Sequence, residues 1–290
     1  MEKWPNFFIV GAPKAGTTSL YEYLKKIPGV YMAPVKEPNY FSVNTIPENF
    51  PKRPIRDKKE YLNLFEKVKD EKIVGEASPP YLSDPDVPKL IHEIIPSARI
   101  LISLRDPVER LFSHYLMLAR SGLMKSSFLE ELKKELRRRT DNSIPHLRFE
   151  MGLYSENVKK YLDTFGSTQV KILIFEEWVS DPKATVEEIL RFLGLNQIIT
   201  DFESEPHNPY VAVRGPLAQQ ILASKTVSKI TKNIIPRTTR AIIRDTFFLK
   251  KNQPKPKMDQ ESKEILVKFY HDDVQKLQTI LGRKLPWPNF

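Results

Sequence analysis

The sequence predicts a doubly wound α/β fold, a parallel sheet flanked by helices in a single domain over residues 1–290. Three observations lead there. Short apolar runs of strand type recur along the chain, segments of helical spacing alternate with them, and a glycine loop joins the first strand to the first helix. The length suits one large α/β domain, and 40% hydrophobic with 28% charged residues is ordinary for a soluble globular chain with a sizeable core.

Phe7-Phe8-Ile9-Val10 is the first strand candidate, ended by Gly11. Leu20, Tyr23, Leu24 and Ile27 recur at helical spacing, which predicts a helix over 17–27. Further strands are expected at Ile73-Val74-Gly75, over 99–104 and over 170–175. The third runs into Asp106-Pro107-Val108-Glu109, an N-cap acid, a proline at the first helical position and a glutamate at the third. Val108, Leu111, Phe112, Tyr115 and Ala119 carry the apolar stripe of that helix toward Gly122. Other helices are expected at 151–165, 183–193, 216–232 and 260–281. The prolines, 24 in all, cluster at 34–54, 79–88 and 254–256 and read as loops over the sheet.

The formal charge of +10 calls for an anionic partner. Residues 225–257 hold ten Lys or Arg against the single acid Asp245, which reads either as a solvated basic face or as a flap or membrane-facing surface. No zinc-finger spacing or basic-aromatic RNA motif accompanies the charge, so nucleic acid is not expected as a partner. There is no apolar run of about 18 residues, hence no expected membrane-spanning helix. Cysteine is absent, so neither disulfides nor thiolate metal sites are available. A cytoplasmic location is expected from that and from the polar start of the chain.

Residues 6–24 read as strand, loop and helix, the helix opened by Thr17-Thr18-Ser19. Free N–H groups and the positive dipole end of such a helix bind phosphate. Gly11 and Gly16 have the spacing of the two glycines of the nucleoside-triphosphate P-loop, so the fold is expected to be P-loop-like. That motif requires Gly-Lys-Ser/Thr, however, whereas here Thr17 follows the second glycine and the lysine lies earlier, at Lys14. Such a loop suits a 5′-phosphate and its substituent better than a triphosphate with Mg²⁺. An ordinary strand-to-helix turn is the plainer alternative.

Pro13-Lys14-Ala15-Gly16-Thr17-Thr18-Ser19-Leu20 closely resembles the 5′-phosphosulfate loop of sulfotransferases that use 3′-phosphoadenosine 5′-phosphosulfate (PAPS). Lys36-Glu37-Pro38-Asn39-Tyr40-Phe41 is similar to the Lys-Glu-x-x-Phe-Phe segment of the heparan-sulfate type and its bacterial relatives. Glu76-Ala77-Ser78-Pro79-Pro80-Tyr81 resembles that group's Glu-Lys-Thr-Pro-x-Tyr. The stretch from Leu104 to Arg110, with Ser113 and Tyr115, resembles its 3′-phosphate segment, and the close of the chain at Leu285-Pro286-Trp287 resembles the family's terminus.

The resemblance implies a PAPS-dependent sulfotransferase, with PAPS as co-substrate, adenosine 3′,5′-bisphosphate (PAP) as product and no metal. It implies that Lys14 and the groups of Ala15, Gly16, Thr17, Thr18 and Ser19 hold the 5′-phosphosulfate. It assigns Arg105, Ser113 and Lys251 to the 3′-phosphate, and Glu37 as the base that takes the acceptor proton. His207 is the alternative base, an ion pair with a nearby acid is the plainer reading of Arg105, and pairing with Lys36 that of Glu37. Two departures stand out. Ala77 replaces the group's lysine, and Lys251-Asn252-Gln253 replaces its Lys-Gly-Arg. These departures put that group's polysaccharide specificity in doubt and favour a small-molecule, lipid or carrier-bound acceptor, hydroxyl or amine, over the glycan of a Golgi enzyme; a glycan acceptor and peripheral contact with an anionic membrane stay open. A P-loop kinase or NTPase, and a non-enzymatic binder of anionic surfaces acting through 225–257, are the rival functions.

Overall fold

A computed structural model describes residues 2–42, 54–121, 123–124, 126–138, 149–200, 202, 212–213, 215, 249–250 and 254–290. Five parallel strands form the sheet: β1 (Phe7–Gly11), β2 (Val30–Met32), β3 (Ile73–Ala77), β4 (Arg99–Leu104) and β5 (Val170–Ile174), in the order β2-β3-β1-β4-β5. β1 and β3 are buried along their whole length, as expected of parallel strands covered on both faces.

Helices α1 (Thr17–Lys25), α2 (Lys58–Asn63), α3 (Val87–Ile94), α4 (Pro107–Arg120), α5 (Phe128–Arg138), α6 (Ser155–Phe165), α7 (Phe175–Trp178), α8 (Pro182–Phe192) and α9 (Gln260–Leu281) are joined by short 3₁₀ helices at Pro79–Ser83 and Phe149–Gly152. Leu20 and Leu24 of α1, with Val186, Ile189 and Leu190 of α8, pack on Phe7, Ile9 and Leu101 of the sheet. Each such side chain, fully buried, stabilises the fold by about 2 kcal/mol.

The connections decide where a ligand can sit. The chain leaves β1 toward β2 on one side of the sheet and leaves β4 toward β5 on the other. β1 and β4 are neighbours, paired from Phe7 with Arg99 to Gly11 with Ile102. Their carboxyl ends therefore flank the point where the winding reverses, the crevice in which open α/β sheets take ligands.

The parallel α/β sheet matches the fold class expected from the sequence. The expected helix over 17–27 ends at Lys25, that over 183–193 runs from Pro182 to Phe192, and that over 260–281 is α9. Asp106 caps α4, its Oδ1 accepting from Val108 N at 2.9 Å and Glu109 N at 3.4 Å. Phe175, expected to end the last strand, instead begins α7. The proline stretch expected as loop over 79–88 forms a 3₁₀ helix and then the first turn of α3, because proline suits a helix start. The helix expected over 216–232 lies outside the described residues.

Residues group into two compact units. One comprises Met1–Arg110, Glu150–His207 and Phe269–Phe290 and carries the five-stranded sheet. The other comprises Leu111–Phe149 and Asn208–Lys268. Within this second unit Phe128 packs on Phe112 and Tyr115 at ring distances of 5.1 and 5.0 Å. The Lys255 ammonium lies 5.4 Å from the Phe112 ring centre, and Ala212–Val213 pair antiparallel with Leu249–Lys250.

Candidate active site

The loop between β1 and α1 turns on two left-handed residues, Lys14 (φ 72°) and Gly16 (φ 77°). Glycine takes this conformation freely, whereas lysine pays roughly 1 kcal/mol for it. At Gly16 a second constraint applies. A Cβ there would stand 2.2 Å from Cζ2 of Trp178, so the indole forms the wall against which the loop is pressed. Trp178 Nε1 donates to Ser103 Oγ at 3.0 Å, and Ser103 Oγ donates to the Ala15 carbonyl at 2.6 Å. Strand β4 thus grips the loop from below.

Gly16 is the N-cap of α1 and, among the described residues, no side chain caps that helix or places an acid in its first turn. The first-turn N–H groups and the positive end of the dipole are accordingly left for an anion. Thr17 and Ser19 are buried, and Thr18 is partly exposed. The Ser19 hydroxyl is hydrogen-bonded to Tyr23, one turn on, rather than standing alone at the loop.

Arg105 follows the last residue of β4. Its Nη1 donates to the Lys14 carbonyl at 3.1 Å, and its guanidinium lies 4.7 Å from the Phe175 ring centre. Glu109 Oε2 is 3.9 Å from Nη2, a long approach. Burial lowers the pKa of Arg105, opposed by Glu109 and Glu176, while the group stays cationic because arginine starts so high. Among the described residues, Arg105 Nε is buried with no acceptor.

The backbone under Arg105 is clamped by groups that the sequence reading missed. Tyr154 OH donates to the Arg105 carbonyl at 3.0 Å, and Asp106 N donates to Glu176 Oε1 at 3.1 Å. Trp287 Nε1 donates to Glu176 Oε2 at 2.9 Å, and Asn289 Nδ2 to Asp106 Oδ2 at 3.1 Å. Burial raises the pKa of Asp106, against the hydrogen bonds from Val108, Glu109 and Asn289 that favour its charged form. No local signal links these residues, since chain distances of 49 to 183 residues separate the partners.

Glu37 stands on the loop after β2, with its N–H donating to the Ala77 carbonyl at the end of β3 at 2.9 Å. The carboxylate pairs with Lys36 at 2.8 Å and is about a quarter exposed, side-chain relative exposure being 25%. The pairing weighed as its plainer role is therefore present, and the carboxylate also reaches solvent. Its backbone is left-handed at φ 63°, as is that of Asn39 at φ 53°. Side-chain Nδ2 of Asn39 donates to the Glu37 carbonyl at 3.0 Å. Parallel strands bring the ends of β1, β3 and β4 to one edge, so the β1–α1 loop, Glu37 and Arg105 share that edge. Ser113 lies half-buried on α4, in the second unit. Lys251 and His207 lie outside the described residues.

Glu76, first in the motif stretch at 76–81 and named above only as a marker of resemblance, is fully buried and holds three hydroxyls. Tyr61 and Tyr81 donate to its Oε1 at 2.8 and 2.9 Å, and Ser78 donates to its Oε2 at 2.7 Å. Burial pushes its pKa up to about 7, against those three hydrogen bonds.

An uncapped helix N-terminus at the reversal of a parallel sheet, with a buried arginine on the adjoining strand end, defines an anion-binding α/β protein of the nucleotide-binding kind. The chain belongs to the sulfotransferase family. The model of the "Sulfotransferase family" matches residues 78–199. The crystal structure of a sulfotransferase from Alicyclobacillus acidocaldarius is 33% identical, with a TM-score of 0.72 over 98% of each chain. Human carbohydrate sulfotransferase 15 is 28% identical over 75% of this chain, and the chain spans 50% of that relative's length. Mouse sulfotransferase SULT7A1, solved with PAP, shares the fold at 14% identity and a TM-score of 0.52, covering 93% of this chain and 85% of the mouse one.

Proposed function

We propose that the protein transfers a sulfuryl group from PAPS to a hydroxyl or amine acceptor by in-line displacement. The observation that carries the reading is the bond from Arg105 to the Lys14 carbonyl, 3.1 Å long. It ties a cation at the end of β4 to the uncapped start of α1, two anion sites on one crevice. PAPS carries a 5′-phosphosulfate and a separate 3′-phosphate, and two separated sites fit it better than a run of adjoining phosphates. The family membership and the PAP found in the mouse protein point the same way.

In this reading Lys14, the N–H groups of residues 16–19 and the loop at Ala15, whose own N–H donates to the Ala12 carbonyl at 3.2 Å, receive the 5′ end. Arg105 receives the 3′-phosphate, a role for which Ser113 and Lys251 stand on the resemblance alone. Glu37 takes the acceptor proton while the acceptor oxygen or nitrogen bonds to sulfur and the bond from sulfur to the 5′-phosphate oxygen breaks. The leaving oxygen keeps the electron pair, and Lys14 offsets the charge that grows there, which stabilises the transition state more than the ground state. Partial exposure of the Glu37 carboxylate supports its access to an acceptor. The name of the human relative puts a carbohydrate among the acceptor classes to be tried first.

Melting the protein with PAP in EDTA, against ATP with Mg²⁺, tests the donor assignment, since a ligand raises Tm by mass action. Stabilisation by PAP is expected, and stabilisation by ATP with Mg²⁺ alone would remove the reading. Glu37→Gln should keep the PAP shift and lose about a hundredfold or more in transfer of radiolabelled sulfuryl to a carbohydrate pool. Unchanged transfer would take Glu37 out of the base role.

A further inference from the structure

The loop bearing Glu37 has an unusual support. Two of its amides end on hydroxyl oxygens: Asn39 N donates to Ser78 Oγ at 3.1 Å, and Phe41 N donates to Tyr81 OH at 3.2 Å. A hydroxyl has one hydrogen and two lone pairs, so it can hold an amide only when its own hydrogen is directed elsewhere. Here both hydrogens go to the same carboxylate, Glu76, which also takes the hydrogen of Tyr61.

We propose that Glu76 is a positioning residue for the loop that carries Glu37, acting as an ionised acceptor that fixes which way the Ser78 and Tyr81 hydroxyls point. The catalytic consequence rests on the reading of Glu37 as base, while the structural claim stands apart from it. An ionised carboxylate accepts only, and all three neighbours donate. Protonation, or replacement by glutamine, puts a hydrogen where an acceptor stood. One hydroxyl hydrogen is then stranded in a buried site, and that hydroxyl must turn toward another acceptor, giving up the lone pair that held its loop amide.

Glu76 is fully buried, and no cation is among the described groups that act on it. α2 contributes Tyr61, which also feels Tyr40. The 3₁₀ helix contributes Tyr81, and α6 brings Tyr161, whose hydroxyl donates to the Tyr81 carbonyl at 3.0 Å and which feels Asp84. Burial raises the ionisation of Tyr61, Tyr81 and Tyr161 far above its usual range, so these hydroxyls remain donors. The group left to titrate near neutrality is Glu76 itself, raised to about 7. The next residue in sequence, Ala77, brings no charge.

Amide hydrogen exchange on the full chain tests this without an acceptor. In the wild type, protection of at least one of the Asn39 and Phe41 amides, corrected for intrinsic chemistry, is expected to fall about tenfold as pH drops from about 8 to about 6. Glu76→Gln should expose at least one of the two amides at either pH and abolish that dependence, while the PAP melting shift stays the same. Protection that is equal in the two proteins and flat with pH overturns the proposal. If Glu76→Gln fails to fold, Ser78→Ala should free Asn39 alone and Tyr81→Phe should free Phe41 alone. Neither amide responding overturns the proposal equally. Glu37→Gln should leave both amides protected, so a wrong base assignment shows in transfer while the exchange result stands on its own.

Discussion

The β1–α1 loop and the loop over 33–42 meet at one sheet edge but are held in opposite ways. The first is pressed into shape by sterics, with Gly16 against Trp178 and Ala15 tied to Ser103 of β4. The second is hung on polar groups: the amides of Asn39 and Phe41 end on hydroxyls that depend on one buried carboxylate, and the left-handed Glu37 is held by the Ala77 carbonyl. The donor side of the crevice is thereby intolerant of volume. The side bearing Glu37 tolerates volume at its surface and responds to protons. A rigid anion cradle beside a proton-dependent loop suits a reaction in which the donor is bound fixed and a proton must leave the acceptor.

The largest effect should come from breaking the steric side. Gly16→Ala adds a Cβ 2.2 Å from Trp178 Cζ2 at φ 77°, and the combined clash and left-handed strain are expected to cost about 3 kcal/mol. A fall in Tm of roughly 5–10 °C in a melting scan checks it. An unchanged Tm would mean that the loop yields, and the contrast with the second loop would be lost. Next in size is Arg105→Ala. Loss of a buried charge-assisted contact should weaken PAP binding by about a hundredfold and adenosine 5′-monophosphate far less. Calorimetric titration of both ligands reads the difference, and equal weakening would place the 3′-phosphate elsewhere.

The steric side was the legible one. Gly11, Gly16 and the threonines after it lie within ten residues, and phosphate binding at a helix start leaves a compact trace in sequence. The strands β1 and β4 and the cap at Asp106 were equally readable, because each is a local pattern of apolar runs or helix-start chemistry. The polar side was not. β2 is only Val30–Met32, too short to show a period, α2 is only six residues, and α3, though Val87, Leu90, Ile91 and Ile94 recur at helical spacing, starts inside the proline cluster that reads as loop. Trp178, Tyr154, Glu176 and Asn289 act through partners far along the chain. Glu76 was quoted as part of a motif, yet its role depends on Tyr61 arriving from α2, which no spacing rule reveals.

The proton-dependent side also has a signature in stability. Glu76 ionises at its ordinary value near 4.5 in the unfolded chain and at about 7 when folded. The stabilising contribution of its proton is thus complete below the unfolded value and is lost as pH rises through about 7. Across that window it amounts to roughly 3 kcal/mol. Compared with Glu76→Gln, which has no such titration, the wild type should gain in Tm as pH falls from about 7 to about 4.5. The same protonation that strengthens the fold would loosen the loop, so stability and loop protection should move in opposite directions. If both fell together with acid, the carboxylate would be doing something other than orienting hydroxyls.

The smallest effect separates clamping from contact on the Arg105 side. Asn289 touches neither loop, but its amide donates to Asp106 Oδ2 at 3.1 Å, next to the residue that carries the guanidinium. Asn289→Ala removes one donor from a buried carboxylate already raised in pKa by burial, a loss of about 1 kcal/mol. The Arg105 backbone keeps its bonds through Tyr154 and Glu176, so PAP affinity should fall only about threefold, with adenosine 5′-monophosphate unmoved. A fall as large as that of Arg105→Ala would show that the steric side is itself hung on polar supports, and the distinction between the two loops would reduce to one of degree.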